Sequence, residues 1–126
     1  MKSKTIWLYV LDTMSDWEPA YAVSGIGSEP FQKRPGAFRV RTCSGEGTSI
    51  VTMGGIRILP DAPLSGVSSE GSAMLILPGG TTWDGDAHGE ALAVARVFLE
   101  AGVPVAAICG AGVYLVYAAP SILPDV

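Results

Sequence analysis

Three short runs of almost purely apolar residues constrain this chain more than any other feature. Residues 5–11 read Thr-Ile-Trp-Leu-Tyr-Val-Leu, residues 73–77 Ala-Met-Leu-Ile-Leu, and residues 105–108 Val-Ala-Ala-Ile. A strand with one wet face alternates apolar and polar residues, whereas a continuous apolar run must be covered on both faces. Helical patterns separate and follow these runs. One covers residues 17 to about 26, with Ser15 or Asp16 as a possible cap and Pro19 tolerated in its first turn. A second covers residues 89–101 and carries Leu92, Val94, Ala95, Phe98 and Leu99, with Gly102 as its stop. A third runs from 111 to about 119 and ends at Pro120. Doubly buried strands alternating with helices specify a mostly parallel sheet with helices on both faces, a three-layer α/β/α sandwich of the flavodoxin-like kind.

The remaining segments fit around that frame. Residues 38–42 alternate apolar and basic side chains, as a half-exposed strand near an edge would. Residues 50–53 and 56–59 are two short strand candidates broken by Gly54-Gly55, and residues 60–63 read as a turn. No repeat, linker or low-complexity stretch divides the chain, so residues 1–126 are expected to form one domain.

Composition narrows the function classes. The net charge is −4, and no Lys/Arg cluster offers to neutralise phosphates, which excludes nucleic acid as a partner. Lys33, Arg34, Arg39 and Arg41 lie close together, but two of them alternate along a strand and read as a solvated face. Only 16% of residues are charged, against about 25% in an average soluble domain. Extensive double burial, or a partner over apolar surface, accounts for that shortfall. Two cysteines and one histidine support neither a disulfide framework nor a zinc site, so no metal and no cofactor is expected. The apolar part of the amino terminus is too short for a signal peptide and is closed by Asp12. The run 103–119 is interrupted by Pro104, Gly110 and Gly112, so it reads as a strand and helix and not as a membrane span. A soluble protein in a reducing, cytoplasmic compartment is expected.

In a parallel sheet of this kind ligands bind beyond the carboxyl ends of the strands. Residues 12–18, 78–86 and 109–110 all leave such ends, so they converge although they are distant in sequence. At the third of these, Ala107-Ile108-Cys109-Gly110-Ala111 has the small residues that a nucleophile elbow needs two positions either side of its apex. A cysteine there faces the amino end of the next helix, whose partial positive charge favours a thiolate. The local pattern fits equally an inert buried cysteine. Pro78-Gly79-Gly80 offers backbone N–H groups for an oxyanion, jointly with Gly110, or is simply a tight glycine turn. Glu18 is either a solvated first-turn residue or a burial-protonated partner of the Cys109 sulfur.

Taken in order, Asp16-Trp17-Glu18-Pro19-Ala20, Leu75-Ile76-Leu77-Pro78-Gly79-Gly80 and Ala106-Ala107-Ile108-Cys109-Gly110-Ala111 resemble the ThiJ/PfpI superfamily, a branch of the class I glutamine-amidotransferase-like folds. Met53-Gly54-Gly55 with Leu59-Pro60-Asp61 resembles members whose first motif reads Asp-Trp-Glu. The resemblance implies that Cys109 is the elbow cysteine, Glu18 the acid touching its sulfur, and Gly79, Gly80 and Gly110 the oxyanion-side backbone. It also implies further elements after residue 126, so the chain is expected to be carboxy-terminally truncated relative to the family. Two departures are visible. Protease-like members carry a histidine directly after the cysteine, where this chain has Gly110, and no histidine follows Cys109. His88 is the only imidazole, read either as an exposed loop residue or as a substitute base, with Trp83 and Asp84 as possible pocket walls. Cys43 reads as structural.

Three functions follow as expectations. The first is a cysteine-dependent hydrolase, amidase or glyoxalase-like enzyme acting on a small carbonyl or amide substrate. The second is a redox or stress protein in which Cys109 is oxidised reversibly beside Glu18. The third is an inactive truncated domain that associates over its unfinished sheet, a homo-oligomer such as a dimer.

Overall fold

The computed structural model describes residues 2–84 and 87–118. Its main sheet contains β1 (Lys4–Tyr9), β2 (Phe38–Ser44), β5 (Ala62–Pro63), β6 (Ser72–Leu77) and β7 (Val105–Ala107), all parallel, in the order β5-β2-β1-β6-β7. A separate antiparallel hairpin is formed by β3 (Ile50–Val51) and β4 (Arg57–Ile58). Three helices follow strands: α1 (Ala20–Gly27) after β1, α2 (Gly89–Glu100) after β6, and α3 (Gly110–Ala118) after β7.

The three apolar runs are the adjacent strands β1, β6 and β7. Strands β1 and β6 are central and mostly buried. Strand β7 is the last of the sheet among the described residues and is half-buried, not covered on both faces as its apolar run suggested, because no further described strand lies beside it. Register fixes which residues share a face: Trp7 pairs with Leu75 and Leu75 with Val105, while Ile6 pairs with Val40 and Met74. The chain moves one way along the sheet from β1 to β2 and the other way from β6 to β7. Right-handed crossovers in opposite directions put α1 and α2 on opposite faces. Leu75 and Leu77 are fully buried, as are Ala95 and Phe98 of α2. Burying Phe98 alone is worth about 2–3 kcal/mol of transfer free energy. The α/β/α expectation is met.

Several boundaries differ from the sequence reading. Helix α1 begins at Ala20 and not near Trp17, with Pro19 as its cap residue and no side-chain cap bond. The carboxylate of Asp16 goes elsewhere. It accepts from Thr52 Oγ1 at 2.6 Å and from the Gly54 N–H at 2.9 Å, pinning the hairpin tip against the exit of β1. Strand β5 was not expected, because two residues that include a proline read as a turn. It adds only two residues beside β2, so most of β2 is an edge, as its alternation indicated. The third helix starts one residue early, at Gly110; Ala119 and Pro120, expected to finish it, lie outside the described residues. Among the described residues no helix is long and apolar enough to cross a membrane.

Candidate functional site

Strand order reverses between β1 and β6, whose carboxyl ends lead to Glu18 and Gly79 respectively. Such a switch point opens a crevice where two connections diverge to opposite faces. Cys109 reaches it from β7. Its backbone has φ +53°, in the left-handed region that side-chain-bearing residues rarely adopt. Its carbonyl accepts the Gly112 N–H at 2.9 Å, so the helix begins immediately at the turn. Ala111 beside it is fully buried, and a methyl group at Gly110 would lie 3.3 Å from the Trp83 Cβ. These small residues let strand and helix meet in one residue, and the Cys109 side chain is left exposed.

Glu18 arrives at this thiol from the other side of the crevice. A Cβ built on Gly79 would lie 2.7 Å from Glu18 Oε2 and 3.1 Å from the Cys109 Cβ, so the three residues are in mutual contact. Glu18 Oε2 accepts the Gly79 N–H at 2.9 Å. The Glu18 charge, then the hydrogen bond that the side chains share, then slight desolvation hold the Cys109 thiol above the usual range. This corrects the expectation of a helix-favoured thiolate. A full carboxylate charge in hydrogen-bond contact outweighs the diffuse half-charge of a helix end. The Gly79 N–H is committed to Glu18. The first N–H groups of α3, beginning with Gly110, have no acceptor within the helix. Gly80 has no room for a side chain, since a Cβ would sit 3.0 Å from Leu11 Cδ1 and 3.1 Å from the Thr13 carbonyl oxygen.

The loop after Gly80 carries the remaining expected residues. Residues Thr81–Trp83 form one 3-10 turn. Trp83 is buried, not a pocket wall open to solvent: its indole N–H donates to the Pro78 carbonyl at 2.9 Å. Asp84 is exposed and accepts from the Tyr114 hydroxyl of α3 at 2.9 Å. His88 is buried too, against the reading of an exposed loop residue. Its Nδ1 lies 2.7 Å from the Tyr9 hydroxyl and its Nε2 2.8 Å from Thr82 Oγ1, and its ring centroid lies 4.5 Å from that of Trp83. Burial, partly opposed by Asp12, keeps the imidazole less basic than usual. The structure therefore brings together Glu18, Gly79, Gly110 and Cys109, and places His88 behind the loop with both nitrogens engaged. Asp86 lies outside the described residues.

Sequence reasoning missed Tyr9, Thr13 and Thr82. Thr13 has φ +73°, and with Cys109 it makes the pair of left-handed non-glycine residues among those described. Its hydroxyl oxygen accepts the Thr81 N–H at 2.9 Å. A tyrosine inside an otherwise apolar strand was the available signal, because a buried hydroxyl needs a partner. Nothing in the sequence marked either threonine. Cys43 is fully buried, its thiol pushed up to about 12 by burial. Among the described residues no three His, Cys, Asp or Glu side chains converge as a metal site.

Comparison with known proteins agrees with this geometry. The DJ-1/PfpI family pattern matches residues 4–121. The chain is 38% identical over 112 residues to a Bacillus subtilis (strain 168) protein described as "Uncharacterized protease YoaZ", covering 88% of this chain and 53% of the relative. Among solved structures, the thiJ/pfpI family protein from Bacillus anthracis superposes with a TM-score of 0.82 at 43% identity, over 91% of this chain and 55% of that one. The DJ-1 superfamily protein Atu0886 from Agrobacterium tumefaciens, at 20% identity and a TM-score of 0.71 over 82% of this chain and 52% of that one, shares the fold. The chain thus spans about half the length of these relatives. An elbow at the switch point, a matched pattern over most of the chain and relatives of about two-fifths identity agree: the chain belongs to the DJ-1/PfpI family.

Proposed function

We propose that this chain carries the nucleophilic half-site of a cysteine-dependent hydrolase acting on a small amide or carbonyl substrate. One observation carries the reading: an exposed cysteine held at φ +53° with a glutamate against its sulfur. Such backbone strain persists only where the surroundings enforce it, and it lifts the thiol towards solvent.

For an amide, Cys109 Sγ forms a bond to the carbonyl carbon while the thiol proton passes to the Glu18 carboxylate. The carbonyl π electrons move to oxygen, and the Gly110 N–H at the start of α3 stabilises that charge. Gly79 serves by holding Glu18 in place. Collapse of the tetrahedral intermediate breaks the C–N bond, and the departing amine takes the proton from Glu18. Water then attacks the thioester, and the acid leaves as the thiol regains its proton. The name "protease" printed for the Bacillus subtilis relative supports the reaction class. His88, with both nitrogens bonded elsewhere, has a supporting part and not that of a base at sulfur.

The test is turnover of a panel of peptides, small amides and 2-oxoaldehydes by wild type and Cys109→Ser. Turnover by wild type and its loss in the variant is the expected result. Equal turnover by the two proteins overturns the assignment.

A further inference from the structure

We propose that Thr82 and His88 are positioning residues for the Cys109 site, joining the loops that carry Glu18, Gly79 and Gly110 through a directed chain of hydrogen bonds. Thr82 has one hydroxyl proton, and it is directed to the Asp12 carbonyl oxygen at 3.2 Å. At the 2.8 Å contact with His88 the threonine oxygen therefore accepts, and Nε2 carries the imidazole proton. Nδ1 is then bare and accepts from the Tyr9 hydroxyl at 2.7 Å. The direction runs from Tyr9 through His88 and Thr82 to the backbone of Asp12, with no group left unsatisfied. Burial favours the uncharged form of both titrating members: it makes His88 less basic, partly opposed by Asp12, and pushes Tyr9 up to about 12.

Two points of this chain, its Asp12 end and the His88 ring, are attached to part of the site. Asp12 and Thr13 begin the segment that delivers Glu18, and Thr13 receives the Thr81 N–H while the Ser15 N–H donates to the Gly79 carbonyl at 3.0 Å. Thr82 lies three residues after Gly79, so its bond to Asp12 closes the loop after β6 onto the exit of β1. On the other side the His88 ring supports Trp83, whose N–H holds the Pro78 carbonyl and whose Cβ lies against Gly110. The three loops are thus tied at a distance from the sulfur, and the Gly79 N–H is held where it fixes the Glu18 carboxylate. Neither Thr82 nor His88 is placed on substrate.

This arrangement is read without any turnover, from the pH dependence of Cys109 alkylation by iodoacetamide followed by intact mass. It therefore stands or falls separately from the hydrolase reading. Thr82→Val keeps the shape of the side chain and removes the hydroxyl. With the clamp loosened, Glu18 leaves the sulfur and the thiol titrates at lower pH. Alkylation near neutral pH then rises about threefold or more, because rate follows the thiolate fraction. Thr82→Ser, which keeps the oxygen, restores the wild-type profile. Glu18→Gln lowers the profile directly, and the double variant with Thr82→Val shifts no further, since both act through one contact. A folded Thr82→Val with the wild-type profile overturns the proposal, and so do shifts that add in the double variant. If Thr82→Val fails to fold, Tyr9→Phe removes only the far hydroxyl. A smaller shift in the same direction supports the clamp, and an unchanged profile overturns it.

Discussion

Cys43 and Cys109 occupy comparable places in the sheet, one at the carboxyl end of β2 and the other just past the end of β7. In both the thiol is held above its usual range, but for opposite reasons. Cys43 is shut in the core, and burial alone pushes it up to about 12. Cys109 is exposed and is raised first by the carboxylate of Glu18. A thiol raised by burial can be released only by opening the fold. One raised by a neighbouring proton acceptor is released when that acceptor moves or takes the proton. The second arrangement is switchable, and only the second suits chemistry.

The largest consequence is kinetic. In the native protein iodoacetamide should modify Cys109 at least about a hundredfold faster than Cys43, because the second reaction waits for an opening fluctuation. In denaturant the two rates should converge. Peptide mapping after timed quenching measures both, and similar native rates would erase the contrast.

The legibility of the two cysteines in the sequence follows the same division. The elbow was readable because its causes are local: Ala107, Gly110 and Ala111 are small at positions where a one-residue turn tolerates nothing larger. The convergence of Glu18 and Gly79 was readable one step further out, since a parallel sheet puts all loops after its strands on one edge. The sign of the Cys109 shift was not, because it depends on which charge lies nearer, and that is decided by the Gly79 N–H fixing a carboxylate. His88 was misplaced for a related reason. A lone histidine among glycines and aspartates reads as surface, and its burial depends on Tyr9, which is 79 residues away. Asp16 likewise looked like a helix cap, while its partners Thr52 and Gly54 lie in a hairpin whose docking no local pattern records. Contacts between loops carry this site, and they leave the weakest traces in a sequence.

Gly79→Ala sharpens the comparison from the Cys109 side. The added methyl falls 2.7 Å from Glu18 Oε2 and 3.1 Å from the Cys109 Cβ. The carboxylate is the far end of a flexible side chain, so it gives way before the backbone does. Glu18 should swing out of the crevice while the fold persists. The sign follows from the cause: with the negative charge removed, the thiol titrates lower. Cys109 alkylation near neutral pH should then rise about three- to tenfold. An unchanged pH profile in a folded Gly79→Ala protein would mean that Glu18 does not control the thiol.

The smallest effects set the two cysteines apart in stability. Cys43→Ser puts a hydroxyl into a fully buried position shaped for sulfur, at a cost of about 1–3 kcal/mol. In a domain of this size that lowers Tm by about 4 °C or more. Cys109→Gly should leave Tm within about 2 °C of wild type, and the reason is a cancellation. Glycine adopts φ +53° without strain, which favours the folded state, but it also enlarges the unfolded ensemble by a comparable amount. Exposed as it is, the thiol contributes little packing to offset either term. A marked loss of stability in Cys109→Gly would show that this side chain is built into the core in the manner of Cys43. Near-neutrality would mean that the strained conformation is retained for something other than folding.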